Sequence, residues 1–579
     1  MELSVPWLTL MVFSPLAGAL ALALVPDEHK EAHRLVGGFF ASLPLVVFMA
    51  IFAAFDPTNG GYQLTSAAED VAWIPAIGAR YHLAIDGISL WLAGLTSLLG
   101  VVAVLAGVTS IHDRTRAFHT ALLVLQTAVL GAICSVDLLL FAFFWELMLV
   151  PLALLVGLWG DAGRVRAAMR LFAITLAASM PLMAGILYLW SQGGGTSFDA
   201  EHLAAIARGL SPTAQQWLFI AFCIAFFVKL PLVPLHTWLP EAQAQASTAG
   251  SFVLGAIVFN AGTYGLFRFA VPFFPDAVYW AAPAIAVLST LAIVYAAVIA
   301  VTQRDIKRMI AYSSVSHLGF ITLGLFALNH VGATGALVQA LAHGITAGAL
   351  FLATGVLIDR HQTRDIDGFG GLAARMPLFA ALFIFLVMAY AGVPGLVGFV
   401  GEFLVLAGTA DSWAFSLTPA NTHLGGLGTG PDVAALVLAG LAGLRVIIGA
   451  IYLLALVRRM VLGPLPAARF DGTRDVTLAE AAPLLPLAAL CLWMGMQPGF
   501  FTSRSDAAVA KLLSDVAAHA NAASETATQT AGKESAVRTW YEGGKAQAWS
   551  IQREKGHDPG GHAEPKEPAA EPAPQGGTP

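Results

Sequence analysis

Eight side chains put ionisable or strongly polar chemistry inside or beside apolar runs: Glu146, Lys229, His236, Asn260, His317, His343, Glu402 and Arg445. Lys229 sets the theme, in the stretch FFVKLPLVPLHTWLPEAQAQASTAG (226–250). A lysine at mid-membrane depth costs roughly 2.5–3.5 kcal/mol on insertion scales, so its presence there calls for a reason. Pro231 and Pro234 follow at once, and each removes a backbone donor and clashes with the preceding turn. Carbonyls freed in this way must be satisfied by protein or water, so a doubly broken helix lines a polar cavity. A charged residue beside a helix break marks an ion site near the bilayer midplane. A kinked helix with a snorkelling lysine is the simpler alternative, but apolar residues on both sides leave Lys229 no nearby end to reach.

The other polar positions fit a proton path. Glu146 lies in LLLFAFFWELMLVPLALL, where it is either a hydrogen-bonded neutral carboxyl or the counter-ion of Lys229. Glu402 lies in AYAGVPGLVGFVGEF (389–403), a second run interrupted by glycines and Pro394. His317 in YSSVSHLGF and His343 in ALVQALAHGITAGALF stand on consecutive helices, flanked by Ser and Thr. A lone buried histidine is usually structural, whereas two in one membrane bundle read as a relay. His236 either caps the lysine site or bonds the broken backbone. Asp86 and Asp137 open helices, where an acidic N-cap is explanation enough.

Such groups perform vectorial proton movement and make no covalent bonds. A Glu–Lys pair at 4 Å couples by about 4 kcal/mol at an effective dielectric of 20. Moving one charge across the membrane costs about 2.3 kcal/mol per 100 mV. Opening and closing one ion pair is therefore of the right size to load and expel a proton.

The elements that must hold these residues are membrane helices. The 579 residues are 57% hydrophobic and only 11% charged, with apolar runs that reach the ~20 residues a spanning helix needs. The fold expected is an all-α polytopic membrane protein of about fourteen spans, near 6–25, 35–54, 85–107, 118–134, 138–158, 167–190, 217–239, 249–273, 279–301, 309–327, 331–357, 378–409, 432–457 and 480–498. Helices seven and twelve are broken and five helices apart, which reads as an inverted repeat. The divisions follow: 1–115 for helices one to three, 116–275 for the first repeat and 276–460 for the second. Helix fourteen takes 461–502, and a C-terminal extension takes 503–579. Within the extension, SRSDAAVAKLLSDVAAHANAASETA suits a short amphipathic helix, Trp540–Ile551 adds another turn or two, and the Pro/Gly/Glu-rich tail from Gly556 reads as disordered. An arm lying along neighbouring subunits and an inert extension are both open.

Basic residues sort to one side of this topology. With the N-terminus outside, the inside loops hold sixteen Lys and Arg, from Lys30 and Arg34 to Arg469 and Arg474, against Arg80, Arg208 and Arg268 outside. Both termini are thus expected on the outer face. Cys134, Cys223 and Cys491 lie far apart in apolar runs and read as small core residues. The net charge of −6 owes much to the acidic tail. No P-loop, dinucleotide fingerprint, haem or iron–sulfur motif is present, so redox or nucleotide chemistry is expected on another chain.

Four stretches carry a family resemblance: FFWELMLVPLALLVGLWG (143–160), VKLPLVPLHTWLPEAQAQASTAGS (228–251), RDIKRMIAYSSVSHLGF (304–320) and GFVGEF (398–403). The sequence resembles the antiporter-like membrane subunits of proton-pumping NADH:quinone oxidoreductase, respiratory complex I. DGISLWL (86–92) and RDIDGFGGL (364–372) bring it nearest to subunit M, called subunit 4 in mitochondria. The resemblance implies two half-channels joined by a hydrated axis, a bacterial inner-membrane location with both termini periplasmic, and neighbouring antiporter-like subunits as partners. It places NADH, FMN, iron–sulfur clusters and quinone on partner subunits. Carried over, Glu146 is the glutamate of helix five and Lys229 the lysine of helix seven. His317 and His343 lie between the half-channels, and Glu402 is the acid of helix twelve. One position departs. The family's helix eight carries a central lysine, and here IVFNAGTYGLFRF (257–269) has Asn260 instead. Arg445 on helix thirteen, the repeat-related position, is always protonated and is expected to set a fixed field. Relatives in Mrp-type cation/proton antiporters share parts of the motifs, and a non-pumping copy of subunit M also fits Asn260.

Overall fold

The computed structural model describes residues 5–415, 433–464 and 473–518. Backbone polar groups in lipid must be satisfied within their own segment, and the apolar runs accordingly form helices. Among the described residues, eleven helices are long and apolar enough to cross a membrane. Four shorter apolar helices join them: Trp7–Ala23, Pro377–Ala391, Val397–Ala410 and Leu484–Met496. Pro377–Ala391 and Val397–Ala410 share the stretch expected as span twelve. Between them Gly392 (φ 80°) and Gly395 (φ 90°) take left-handed backbone that side chains resist.

The break expected after Lys229 is present. Helix Pro212–Lys229 ends on the lysine itself, and the chain resumes as Trp238–Gln245. The Trp238 indole donates to the Val228 carbonyl at 3.0 Å, so the interrupted ladder is repaired by a side chain. Two further interruptions were not anticipated. The span expected at 138–158 is two helices, Leu138–Leu147 and Leu149–Gly157. Pro151 has no N–H to offer the Leu147 carbonyl four residues back, which is the physical reason for that break. The span expected at 249–273 is divided into Thr248–Ala256, Phe259–Gly265 and a π-helical turn, Leu266–Ala270. An unexpected antiparallel hairpin, Asp70–Ile74 with Ala79–His82, decorates the bundle.

The long helix His330–His361 is almost wholly buried and is the spine of the fold. Glycines let its neighbours approach closely, as small residues do in membrane bundles. A Cβ on Gly401 would lie 2.8 Å from the Gln339 Cα, and one on Gly408 would lie 2.3 Å from the Gly332 nitrogen. On its other side Gly348 meets the Phe252 ring and Gly344 the Ala256 carbonyl. Gly401→Ala is therefore expected to destabilise the bundle by about 1–3 kcal/mol through overpacking. Gly440→Ala, with open space around it, should be neutral. Thermal unfolding of both variants in detergent checks the pair, and equal midpoints would refute the close-packing account.

Charged side chains gather in two rims. One holds Arg116 paired with Asp27, Arg364 with Asp161 and Asp305, Arg459 with Asp367, and Arg360 with Glu480. The other holds Arg80 with Asp70, His82 with Asp199, and Lys511 with Asp515. Arg268, expected in a loop on that side, is mostly buried instead; it pairs with Asp86 and lies over the Tyr62 ring at 4.9 Å. Asp86 and Asp137 do cap helices, accepting from backbone N–H groups two and three residues on. The three cysteines are free and buried. Residues 506–518 are helical, with Val509, Leu512 and Val516 inward, in keeping with an amphipathic helix. Trp540–Ile551 and the tail from Gly556 lie outside the described residues.

Candidate functional site

Lys229 is 2% exposed, and its ammonium has three partners in place of water. It donates to the Trp145 carbonyl at 3.1 Å and to the Met148 sulfur at 3.3 Å. It also sits 3.9 Å from the centroid of the Trp145 ring, a cation–π contact. Met148 stands at the unforeseen break between Leu138–Leu147 and Leu149–Gly157, and Trp145 in the last turn before it. The expected direct contact with Glu146 is not made: the two charges act on each other without forming an ion pair. The helix turns by about 100° per residue, so the lysine that faces Trp145 leaves Glu146 to one side. Glu146, half-buried, interacts with the Ser179 hydroxyl. Ser179 also accepts from the Trp145 indole at 3.1 Å, so one serine ties both residues together.

Helix Phe259–Gly265 lies directly behind the lysine, where a Cβ on Gly262 would come within 3.3 Å of the Lys229 Cβ. Asn260 on this helix is fully buried. Its amide nitrogen donates to the Thr96 hydroxyl at 3.3 Å, and its Oδ1 has no partner. His343 comes next, packed on the Phe259 ring at 5.1 Å and on His317 at 5.7 Å. Neither of its ring nitrogens has a partner among the described residues. His236 is buried against Tyr295 at 5.8 Å with its Nδ1 unpartnered, and it does not bond Lys229.

The far end of the row is a closed ionic cluster. Glu402 is 3% exposed and Arg445 is 0% exposed. Arg445 donates from Nη1 to the Glu402 carboxylate at 2.5 Å and from Nη2 to the His317 ring. His317 Nδ1 stands 3.3 Å from the same carboxylate oxygen and 3.2 Å from the Gln339 amide. Its ring packs on Tyr390 at 4.2 Å. Arg445, expected to set a fixed field, does so in direct contact with both His317 and Glu402. A buried, always-charged guanidinium needs a carboxylate partner.

Read from one end, the row runs Glu146, Lys229, Asn260, His343, His317, Glu402 with Arg445, and only His236 stands aside. Several members escaped sequence reasoning: Trp145, Met148, Ser179, Thr96, Gln339 and Tyr390. Gln339 had a usable signal, since it lies four residues before His343 and hence on the same helix face. The Trp145 carbonyl had none. Among the described residues, no group of three or more His, Cys, Asp or Glu is placed to hold a metal ion.

The chain has relatives among known proteins. The family described as NADH:quinone oxidoreductase/Mrp antiporter, TM, matches residues 135–424. NADH-quinone oxidoreductase subunit M of Rhodobacter capsulatus is 38% identical over 522 residues, covering 87% of this chain and 96% of that protein. Among solved structures, a chain of respiratory complex I from Thermus thermophilus with bound NADH superposes with a TM-score of 0.75. It is 30% identical, and the match covers 87% of this chain and 99% of that one. A chain of the Mrp complex from a Dietzia species superposes with a TM-score of 0.70 at 21% identity, covering 88% and 99%. That last likeness is one of fold.

Proposed function

The chain belongs to the subunit M family of NADH-quinone oxidoreductase, and from that premise we propose that it is a proton-translocating membrane subunit of a complex I-like NADH:quinone oxidoreductase. The observation that carries the reading is the buried row from Glu146 to Glu402, with its unpartnered polar atoms. Asn260 Oδ1, both nitrogens of His343 and Gln339 Oε1 are buried and have no bonding partner among the described residues. Buried polar atoms are costly unless hydrogen-bonded, and where protein offers no partner, water does. A row of such atoms between two charged clusters supports a hydrated path along the membrane plane.

The charges supply the switch. Lys229, held by a carbonyl, a sulfur and a ring, has no carboxylate in contact to fix its proton. An approach of Glu146 strengthens its hold on the proton, and a retreat loosens it, with about 4 kcal/mol at stake for a pair at 4 Å and an effective dielectric of 20. The lysine then passes its proton toward His343 through water held by Asn260, which can orient a water but cannot ionise. His317 hands it to the Glu402 end. Arg445 keeps a permanent positive charge there, which favours the Glu402 carboxylate and drives a proton arriving on His317 onward. The two half-channels, the inverted repeats with boundaries at 116–275 and 276–460, and the placement of both termini on the outer face belong to this proposal.

The proton path has no redox step, and the energy comes from partner subunits that hold NADH, FMN, iron–sulfur clusters and quinone. The partners are the other membrane subunits of the assembly in a bacterial inner membrane, including antiporter-like neighbours. Purifying the native assembly, identifying its subunits and measuring protons moved per NADH oxidised in sealed vesicles tests the reading. An assembly lacking NADH-oxidising and quinone-reducing subunits would replace it with the Mrp-type antiporter reading. An assembly that contains them but pumps identically without ionisable residues at 229 and 402 would make this chain a structural copy.

A further inference from the structure

The rim that carries Lys307, Arg360 and Arg364 contains a cavity of about 200 Å3 that the row above does not use. His112, Thr248, Asp359, Arg360 and Glu480 line it. Most carboxylates around it are spoken for: Glu480 is paired with Arg360, and Asp161 and Asp305 with Arg364. Asp359 is different. Its two oxygens lie 3.2 and 3.1 Å from the Thr248 hydroxyl, a neutral partner, and among the described residues no ion pair reaches it. Lys307, Asp161 and His112 act on it as neighbouring charges, while the Lys307 ammonium is itself bonded to the Ala246 carbonyl at 2.7 Å.

Asp359 stands near the end of the spine helix His330–His361, the helix that also carries His343. Thr248 opens the helix that packs along this spine. Two turns further, about 11 Å at 1.5 Å per residue, Gly255 adjoins the Gln243 amide, with 3.2 Å between a Cβ there and Nε2. Gln243 is 0% exposed, and neither its amide oxygen nor its amide nitrogen has a partner among the described residues. Beyond the interruption after Ala256 come Asn260 and then His343 with their own unpartnered atoms. Between the cavity, where Thr248 bonds Asp359, and the centre of the row, Gln243, Asn260 and His343 thus offer polar atoms without partners among the described residues, from three helices that meet there.

We propose that Asp359 is the group through which the pathway takes up protons from this face. A hydronium ion in the cavity protonates the carboxylate. The proton then leaves past the Thr248 hydroxyl, through water held by Gln243, toward Asn260 and His343, and Asp359 returns to its carboxylate form. The inference rests on the proton-translocating reading above, and its test separates the two.

The assembled complex is purified with Asp359→Ala, Asp359→Glu or Lys229→Ala, and quinone-linked NADH oxidation is measured in detergent, where no gradient can be dissipated. Asp359→Ala is expected to slow turnover severalfold and Asp359→Glu to keep at least half of it. Added formate, a small acid able to enter the opened cavity, should restore Asp359→Ala while leaving the wild type unchanged. Electron transfer from NADH to an artificial acceptor, which bypasses the membrane arm, should be equal in all. Wild-type turnover of Asp359→Ala beside an impaired Lys229→Ala overturns the uptake role and leaves the proton-translocating reading intact. A slow Asp359→Ala that neither formate nor glutamate restores also overturns it, as a packing residue would behave in that way. Wild-type behaviour of both alanine variants, with normal protons per NADH in vesicles, would overturn the broader reading.

Discussion

Replacing Arg445 with leucine is expected to cost about 3–5 kcal/mol of stability, because it strands the buried Glu402 carboxylate without its counter-charge. Arg445 is the direct partner of that carboxylate at 2.5 Å and of the His317 ring, and its loss leaves Glu402 only the 3.3 Å contact with His317. Glu402→Leu alone should be comparably harmful, leaving a buried guanidinium uncompensated. The double change removes both charges together, and a well-packed apolar pair in place of a buried ion pair is often neutral. Detergent thermal unfolding of both singles and the double, read as a double-mutant cycle, measures the coupling. Additive losses would show that the pair contributes no mutual stabilisation. Pumping is a separate readout: the stable double variant should not pump, since the acid end of the row is gone. The same geometry bears on Asn260. From the sequence, Asn260→Lys looks as though it needs Arg445 removed to be tolerated. In the structure, removing Arg445 disables Glu402 and His317, so the double change Asn260→Lys with Arg445→Leu is expected to be worse than Asn260→Lys alone.

Lys229→Ala is expected to reduce proton pumping by this subunit to the level of passive leak while the complex still assembles. The lost contacts are a hydrogen bond to the Trp145 carbonyl, a sulfur contact and a ring contact. Leaving one buried carbonyl unpaired costs about 1–3 kcal/mol, which a bundle of this size tolerates. Lys229→Arg discriminates between two roles. Arginine keeps the cation and its bond to the carbonyl but does not release a proton near neutral pH. If Lys229 carries a proton, the arginine variant assembles normally and does not pump. If its role is a fixed charge, the arginine variant works and the alanine variant does not. Glu146→Gln should impair pumping less than Lys229→Ala, since Glu146 acts on the lysine through space and is not its bonding partner. Normal proton-to-electron ratios for Lys229→Ala in reconstituted vesicles would end the lysine-switch account.

The amino-acid sequence by itself determined the helical membrane class, the broken backbone after Lys229 and the interrupted run before Glu402. It did so because hydropathy, proline and glycine act locally, and in lipid the backbone has few other solutions. It also singled out most of the row, since an ionisable residue in an apolar run is visible without knowing what it touches. Tertiary structure decided the partners. That Lys229 meets Trp145 and Met148 and not Glu146 depends on the rotation of one helix about its axis and on a break set by Pro151. Arg445 closes on Glu402 and His317 because helices far apart in sequence pack at one level. That Asp359 faces a neutral hydroxyl while its neighbours are ion-paired depends on segments far apart in sequence meeting at one rim. These are long-range pairings, and residue type and spacing carry no record of which helix face meets which.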